Sequence, residues 1–382
     1  NLIVALQEGQ AVSMAHGYEL ASGRVAALVL PSIGMPNAMS NLYNAYKDRS
    51  SLAVISDGGS TALEGRDGFQ QMDDWLRPSE AFTKWRWEVR QPERIGELVR
   101  RGIKLAATPP GGPVYIRIPG NVMASAGLKQ TVYPQSRFNV PVQMMPQPEL
   151  IEQAASMLLA AEAPLINAGP EVTRAGATED LVELAELLGI SVSQSMSVYG
   201  DFPFRHPLFA GYFAMGYPRG IGRTDVFLNL GGQTPDASLI TGRVPPKAKL
   251  INARVEFDRI ANNYPTDIAI AAGMKETVRA LIDAVESQGS KRQIRELSAT
   301  RMDKAKAAQA DSLDRQRRKA EPLWNSSPVS SDRLCFELDR LLDPNAVVVV
   351  ETGGREPQRW MDFGPGRKTL IGPTSGYALG WG

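Results

Sequence analysis

The stretch VAALVLPSIGMPNAMSNLYNAYKDRSSLAVISDG, residues 25–58, decides the fold. VAALVLP (Val25–Pro31) is an apolar, partly β-branched run, and SLAVISDG (Ser51–Gly58) is a second. Such runs read as buried strands. Between them, NAMSNLYNAYKD repeats apolar residues at helical spacing, which predicts Met39, Leu42, Tyr43 and Tyr46 on one face. A strand, a helix and a strand in that order make a crossover unit, and crossover units build parallel sheets covered by helices.

The same grammar extends in both directions. Upstream, NLIVALQEGQAVSMAHGYELASG reads as the end of a strand, Asn1–Leu6, followed by a helix through Ala11, Met14, Ala15 and Tyr18 that Gly23 closes. Glu8 stands at the junction. A carboxylate there has an ordinary use, complementing the helix dipole as a cap. It also fits a buried acid aimed at a ligand from the carboxyl end of a sheet. Downstream, PERIGELVRRGIKLAATP predicts a helix and GPVYIRIP a strand, and this first unit ends near Ala124. Residues 127–148 are rich in Pro and Gln without periodicity, as in a linker.

A second α/β unit follows through ELIEQAASMLLAAEA, PLINAG, LVELAELLG, GISVSQS, DVFLNLGG, AKLINARV and KETVRALIDAVES. Residues 290–320 are polar and helix-prone, with acidic residues interleaved among the basic ones and no aromatic for stacking. That pattern fits a solvated connecting helix rather than a nucleic-acid surface. From Ser331, DRLCFELDRLL predicts a helix and AVVVVETGG a fully buried strand running into a glycine turn. The expected organisation is therefore α/β, with three doubly wound parallel-sheet domains, the first lacking its N-terminal part and the third only begun. Its boundaries are 1–125, a linker at 126–148, a central domain at 149–289, a connecting helix at 290–330, and the opening of a last domain at 331–382.

Composition narrows the chemistry. A net charge of +1 gives no bulk field for nucleic acid or anionic membrane, and no apolar run is long enough to span a bilayer. The lone Cys335 leaves no disulfide within the chain, which fits a reducing, cytoplasmic setting. His16 and His206 are the only histidines; with one cysteine they make a zinc site a poor reading, and each is expected to be structural. The turns GPEVTRAG and LGGQTPD resemble nucleotide loops, but neither gives GxGxxG.

Taken together, these strings resemble a known family. QEGQAVSMAHGYELASG followed by PSIGMPNAMSNLYNAYKDRSSLAVISDG resembles the pyrimidine-binding domain of thiamine diphosphate enzymes, in the acetolactate synthase and benzoylformate decarboxylase group. FTKWRWEV and PPGGPVYIRIPG continue the match. INAGPEV, GDFPFRHPLFAG and TDVFLNLGG resemble the central domain, and VVVVETGG and GPTSGYALGWG the opening of the diphosphate-binding domain. The resemblance covers essentially the whole chain and rests on the order and spacing of its motifs.

The resemblance implies a set of roles. Glu8 falls on the cofactor-activating glutamate, which hydrogen-bonds N1′ of the aminopyrimidine. Leu379 falls on the large apolar residue beneath the cofactor, and the main-chain carbonyl of Tyr377 on the acceptor for its 4′-amino group. Glu351, Thr352 and Gly353 fall where the diphosphate is approached. Leu30 occupies the position of a histidine in benzoylformate decarboxylases and, with Gly34, is expected to border a more apolar substrate pocket; Pro36 is expected to stiffen the SIGMP loop. The Mg2+ motif is expected beyond Gly382, and FAD is not expected because GGQTPD lacks the arginine pattern of acetolactate synthases. The implied activity is decarboxylation or carboligation of a 2-oxo acid by a homodimer or homotetramer. A catalytically silent paralogue is the alternative, motivated by SIGMP and the missing histidine and opposed by the retention of Glu8.

Overall fold

The structure, a computed structural model, describes residues 2–213, 218–236, 242–351, 356–365 and 367–380. The chain forms two compact units. One comprises Asn1–Pro141, Val349–Thr352 and Ile371–Gly382; the other Val142–Val348 and Gly353–Leu370. Residues 331–382, expected as the start of a third domain, are thus shared between the two.

The first unit runs α1 (Glu8–Ser22), β1 (Ala26–Leu30), α2 (Gly34–Lys47), β2 (Leu52–Ser56), β3 (Trp85–Glu88), α3 (Ile95–Ala107), β4 (Val114–Arg117) and α4 (Gly120–Met123). Its strands are parallel, in the order β1-β2-β4-β3. Central β2 is buried almost throughout. On edge strand β1 burial alternates, with Ala26, Leu28 and Leu30 facing in and Ala27 and Val29 facing out. The core joins these inward residues to Val12 of α1 and to Met35, Ala38 and Leu42 of α2.

Three local expectations change here. Residues 2–7 form no strand, and α1 starts directly at Glu8. The buried face of α1 carries Val12, Ser13, His16, Glu19 and Leu20, while Met14 and Tyr18 are 47% and 48% exposed. Polar pairing with α2 turns the helix this way: Asn41 Nδ2 donates to the Gly9 carbonyl at 3.1 Å, and His16 Nε2 lies 3.4 Å from Asp48 Oδ2. Finally, the SIGMP loop is shorter than expected: Ser32 and Ile33 form a turn and α2 begins at Gly34. Pro36 sits in its first turn, where a backbone N–H has no intrahelical acceptor and its loss costs little. The core face of α2 is Met35, Ala38, Leu42 and Ala45. Tyr43 packs edge-on against Phe82, with ring centroids 5.4 Å apart, and Tyr46 lies 5.0 Å from the Arg49 guanidinium.

The second unit contains α5 (Pro148–Ala160), β5 (Leu165–Ala168), α6 (Pro170–Arg174), α7 (Thr178–Leu188), β6 (Ser191–Gln194), β7 (Phe209–Tyr212), β8 (Val226–Leu230), β9 (Lys249–Arg254), β10 (Ile268–Ala271) and α8 (Met274–Gln288). Six parallel strands lie in the order β10-β9-β8-β5-β6-β7, so the winding reverses between β5 and β8. Helix α9 (Lys291–Ala320) then runs for 30 residues, with exposed pairs Arg292–Glu296, Arg315–Asp311 and Arg318–Asp314 one turn apart. It is followed by α10 (Ser331–Leu341), β11 (Val347–Val349), α11 (Glu356–Trp360) and β12 (Thr369–Ile371). The expectation that AVVVVETGG is a fully buried strand is corrected: Val347 and Val349 are each 54% exposed. The cause is topological: among the described residues β11 pairs with β12 alone, in a two-stranded sheet. Among the described residues no helix is long and apolar enough to cross a membrane.

Candidate functional site

The first unit gathers its candidate residues at the two ends of α2. At the N-terminal end, the cap of α1 is Gln7, whose Oε1 accepts from Gln10 N at 3.0 Å. Glu8 is therefore not the capping side chain. It is half-buried, and its carboxylate lies against the first turn of α2, where Asn37 Nδ2 donates to Oε2 at 3.4 Å. Gly34 makes this approach possible: a Cβ there would sit 2.6 Å from Glu8 Cγ and 3.0 Å from Oε1. The loop between β1 and α2 is fixed by Asp57, whose Oδ1 accepts from Ser32 N at 2.6 Å. Leu30 is 3% exposed and its side chain is part of the core, so in this structure it does not wall an open pocket; the alternation of β1 turns it inward.

At the C-terminal end of α2, the segment 374–380 is tied down along its length. Asp48 Oδ1 accepts from Ser375 N at 2.8 Å. Asn44 Nδ2 donates to the Ala378 carbonyl at 2.7 Å, and Asn44 Oδ1 accepts from Ala378 N at 3.0 Å. Gly380 N donates to Glu351 Oε1. Tyr377 has φ 52°, a left-handed backbone uncommon outside glycine, and its N–H donates to the Thr374 carbonyl at 3.2 Å. Leu379 leaves this segment 67% exposed. Thr352 and Gly353 lie outside the described residues.

Glu8 and the 377–379 segment are not brought together. Glu8 contacts Gly34 and Asn37, and Ala378 contacts Asn44, ten residues beyond Gly34 and so about 15 Å further along the helix. Sequence reasoning passed over Gln7, Asn44, Asp48 and Asp57. Each is a single polar residue whose partner is set by tertiary packing. His16 is buried beside Asp48. His206 belongs to the second unit, where its Nε2 lies 3.1 Å from Glu186 Oε1 and its Nδ1 accepts from Leu208 N. Among the described residues no cluster of three or more His, Cys, Asp or Glu is arranged to hold a metal ion.

At the carboxyl ends of β5 and β8 in the second unit, the chain itself fills the space. Open α/β sheets bind ligands where the winding reverses. Here that place, between β5 and β8, is closed by backbone: Gly169 N donates to Leu230 O at 3.0 Å and Glu171 N to Gly231 O at 3.1 Å. A Cβ on Gly169 would lie 2.6 Å from Gly232 N. Beneath it, in register across adjacent strands, Asn167 Nδ2 donates to Asn229 Oδ1 at 2.7 Å and Asn229 Nδ2 to Asn252 Oδ1 at 2.9 Å. Glu171, Arg254 and Glu256 form a buried ionic group beside it, and burial raises the Glu171 carboxyl. Burial also pushes Asp201 up to about 7, against the opposing hydrogen bonds of Thr173 and Ser197 and the charge of Arg174.

Two family models match this chain: "Thiamine pyrophosphate enzyme, N-terminal TPP binding domain" over residues 1–76 and "Thiamine pyrophosphate enzyme, central domain" over residues 151–281. A Methanocaldococcus jannaschii protein described as "Probable acetolactate synthase large subunit" is 30% identical over 295 residues, covering 74% of this chain and 49% of its own length. The sulfoacetaldehyde acetyltransferase of Rhodobacter capsulatus is 27% identical over 403 residues, covering 97% of this chain and 66% of its own. Among solved structures, the thiamine diphosphate-dependent 4-hydroxybenzoylformate decarboxylase of Rhodococcus jostii RHA1 superposes with a TM-score of 0.76 at 23% identity, over 100% of this chain and 69% of that one. This last likeness carries the fold: mixed α/β with parallel sheets. The chain spans about half the length of the first of these relatives.

Proposed function

Since the chain belongs to the thiamine pyrophosphate enzyme family, we propose that the whole protein uses thiamine diphosphate with Mg2+ to decarboxylate a 2-oxo acid, to ligate it to a second carbonyl compound, or both. The observation that carries this reading is the state of Glu8. It is half-buried, relieved of capping by Gln7, and set against a glycine that leaves it room. Gln7 supplies the capping oxygen of α1, and the Glu8 oxygens are turned to α2. That is a fit to the aminopyrimidine end of the cofactor, because a fixed and partly desolvated carboxylate polarises a ring nitrogen more strongly than a solvated one.

In this reading Glu8 would hold a hydrogen bond to N1′ of the pyrimidine, with Asn37 keeping the carboxylate in place. The Tyr377 carbonyl would accept from the 4′-amino group, and exposed Leu379 would supply an apolar support. Glu351, Thr352 and Gly353 would flank the diphosphate. Gly34 would border the substrate; Leu30 would reach it through its backbone only. The chemistry that thiamine diphosphate supplies when bound is an electron sink beside a 2-oxo carbonyl. Relatives named as a synthase, an acetyltransferase and a decarboxylase keep ligation and decarboxylation both in view.

The separation along α2 supports assembly. One chain holds Glu8 and Leu379 at opposite ends of a helix, so a cofactor touching both would draw on two copies. A homodimer or homotetramer meets that need. Met14 and Tyr18, one turn apart on α1 and half exposed, offer apolar surface for such an interface. FAD is not expected, because GGQTPD lacks the arginine pattern of acetolactate synthases. The test is a panel of 2-oxo acids incubated with the whole protein, thiamine diphosphate and Mg2+, with carbon dioxide release and carbonyl products followed. Consumption of at least one is expected; no consumption of any would overturn the reading.

A further inference from the structure

We infer that Asn44 is the positioning residue that aims the Tyr377 carbonyl and the Leu379 side chain at the cofactor. This rests on the functional reading above and assigns Asn44 a task within it. The geometry is that of a two-point clamp on one residue. Asn44 Oδ1 accepts from Ala378 N at 3.0 Å and Asn44 Nδ2 donates to Ala378 O at 2.7 Å. Each bond fixes a different peptide plane. The Ala378 N–H shares a trans peptide with the Tyr377 carbonyl, which points the opposite way. Holding that N–H on α2 therefore turns the Tyr377 carbonyl away from α2. The Ala378 carbonyl shares the next peptide with Leu379 N, so the second bond fixes the base of the Leu379 side chain.

Independent features of the same segment point the same way. Asn44 is fully buried, so its side chain is held in place by the surrounding core of the unit. Gly376 presses on it: a Cβ there would lie 3.0 Å from Asn44 Cα, a backbone atom that cannot swing aside. Asp48, one turn further on, holds Ser375 N, and Glu351 holds Gly380 N. The left-handed backbone at Tyr377 stands between these anchors, and such a conformation persists only where its surroundings enforce it. Helix α2 supplies the rigid base, and Asn44 is the anchor that touches both peptides flanking Ala378.

The test uses the whole protein with thiamine diphosphate and Mg2+, comparing wild type, Asn44→Ala, Asn44→Asp and Gly376→Ala. Amide hydrogen exchange across 375–380 reads the clamp. Tryptophan fluorescence quenching reads cofactor affinity, and near-ultraviolet circular dichroism reads the bound pyrimidine. Asn44→Ala is expected to speed exchange in this segment at least tenfold, with α3 unchanged, and to weaken cofactor binding about tenfold. Asn44→Asp keeps the acceptor for Ala378 N but sets a second acceptor against the Ala378 carbonyl, so it is expected to recover part of the pyrimidine signal while exchange at Leu379 N stays fast, a split between the two peptides that a purely structural asparagine would not make. Gly376→Ala strains the same contact from the other side and should move all three readouts in the direction of Asn44→Ala, which keeps the test intact if an Asn44 variant fails to fold. Faster exchange with unchanged affinity and an unchanged pyrimidine signal would overturn the positioning role alone. A wild-type protein that takes up no thiamine diphosphate would overturn the functional reading and the positioning role together.

Discussion

The carboxyl ends of the two parallel sheets are built to opposite plans. In the first unit, the end of β1 opens into α2 at Gly34, and Glu8 meets it with one long hydrogen bond and a half-exposed carboxylate. In the second, the ends of β5 and β8 are joined backbone to backbone, over a row of asparagines that satisfy one another. Both sheets are parallel, though their strand orders differ, and the occupancy of their strand ends differs too. Parallel winding offers a place for a ligand, and side-chain and glycine chemistry decides whether the place is left open or consumed in holding the domain together.

This contrast is open to direct attack. The largest effect should come from filling the closed end. Gly169→Ala puts a methyl against the backbone of Gly232, which cannot swing aside, and we expect a loss of about 4 kcal/mol in denaturant unfolding, among the severe cases of overpacking. A fully stable variant would show the strand ends are not packed as described. Next is Asp201. Its carboxyl stands at about 7 when folded and near 3.8 otherwise, so the folded state binds the extra proton between those values. Stability from this group is fully present below about 3.8 and is lost as pH rises through 7, by about 4 kcal/mol. Asp201→Asn should flatten that part of a melting profile taken from pH 5 to 8; an unchanged slope would relieve Asp201 of the role.

Smaller in energy is the open end. Glu8→Gln should lower turnover at least tenfold, about 1.4 kcal/mol of barrier, with little change in unfolding. Unchanged activity would return Glu8 to the helix dipole. Mixing Glu8→Gln subunits with a Leu379→Ala variant should restore part of the activity through hybrid sites, and a fully active monomer at high dilution would dismiss the shared site. The weakest signal is spectroscopic: purified protein should show no stoichiometric flavin band, in keeping with a GGQTPD stretch that lacks the arginine pattern of acetolactate synthases.

How far the sequence reveals this depends on the range of the forces involved. The β1–α2–β2 crossover was readable because burial of apolar residues imposes a local period. The short strands β3, β7 and β10 were not: WRWE ends on Glu, FAGY contains Gly and IAIA two Ala, residues depleted in strands, so pairing in the sheet carries them. The face of α1 was misread because its buried positions include Ser13, His16 and Glu19, which are polar: Ser13 Oγ donates to the Gly9 carbonyl of its own helix and His16 lies against Asp48 at the end of α2. Burial of β11 was overestimated because a run of valines says nothing of how many neighbours the strand will have. Glu8 stands out as a candidate, and in the folded chain Gln7 takes over the cap. Asn44 was invisible for a simpler reason: its partner, Ala378, lies 334 positions away.

Helix α2 therefore works as a ruler with a phase. Its first turn faces Glu8 and its last faces Ala378, and each residue added between them turns one end by about 100° relative to the other. A single insertion near Asn41 would swing Asn44 and Asp48 away from the segment they hold while leaving Gly34 and Asn37 in place. Two full turns, seven residues, would bring the directions nearly back into agreement but carry the ends about 10 Å further apart. Point substitutions on the outer face of α2 leave both ends in register, whereas a change in its length uncouples them.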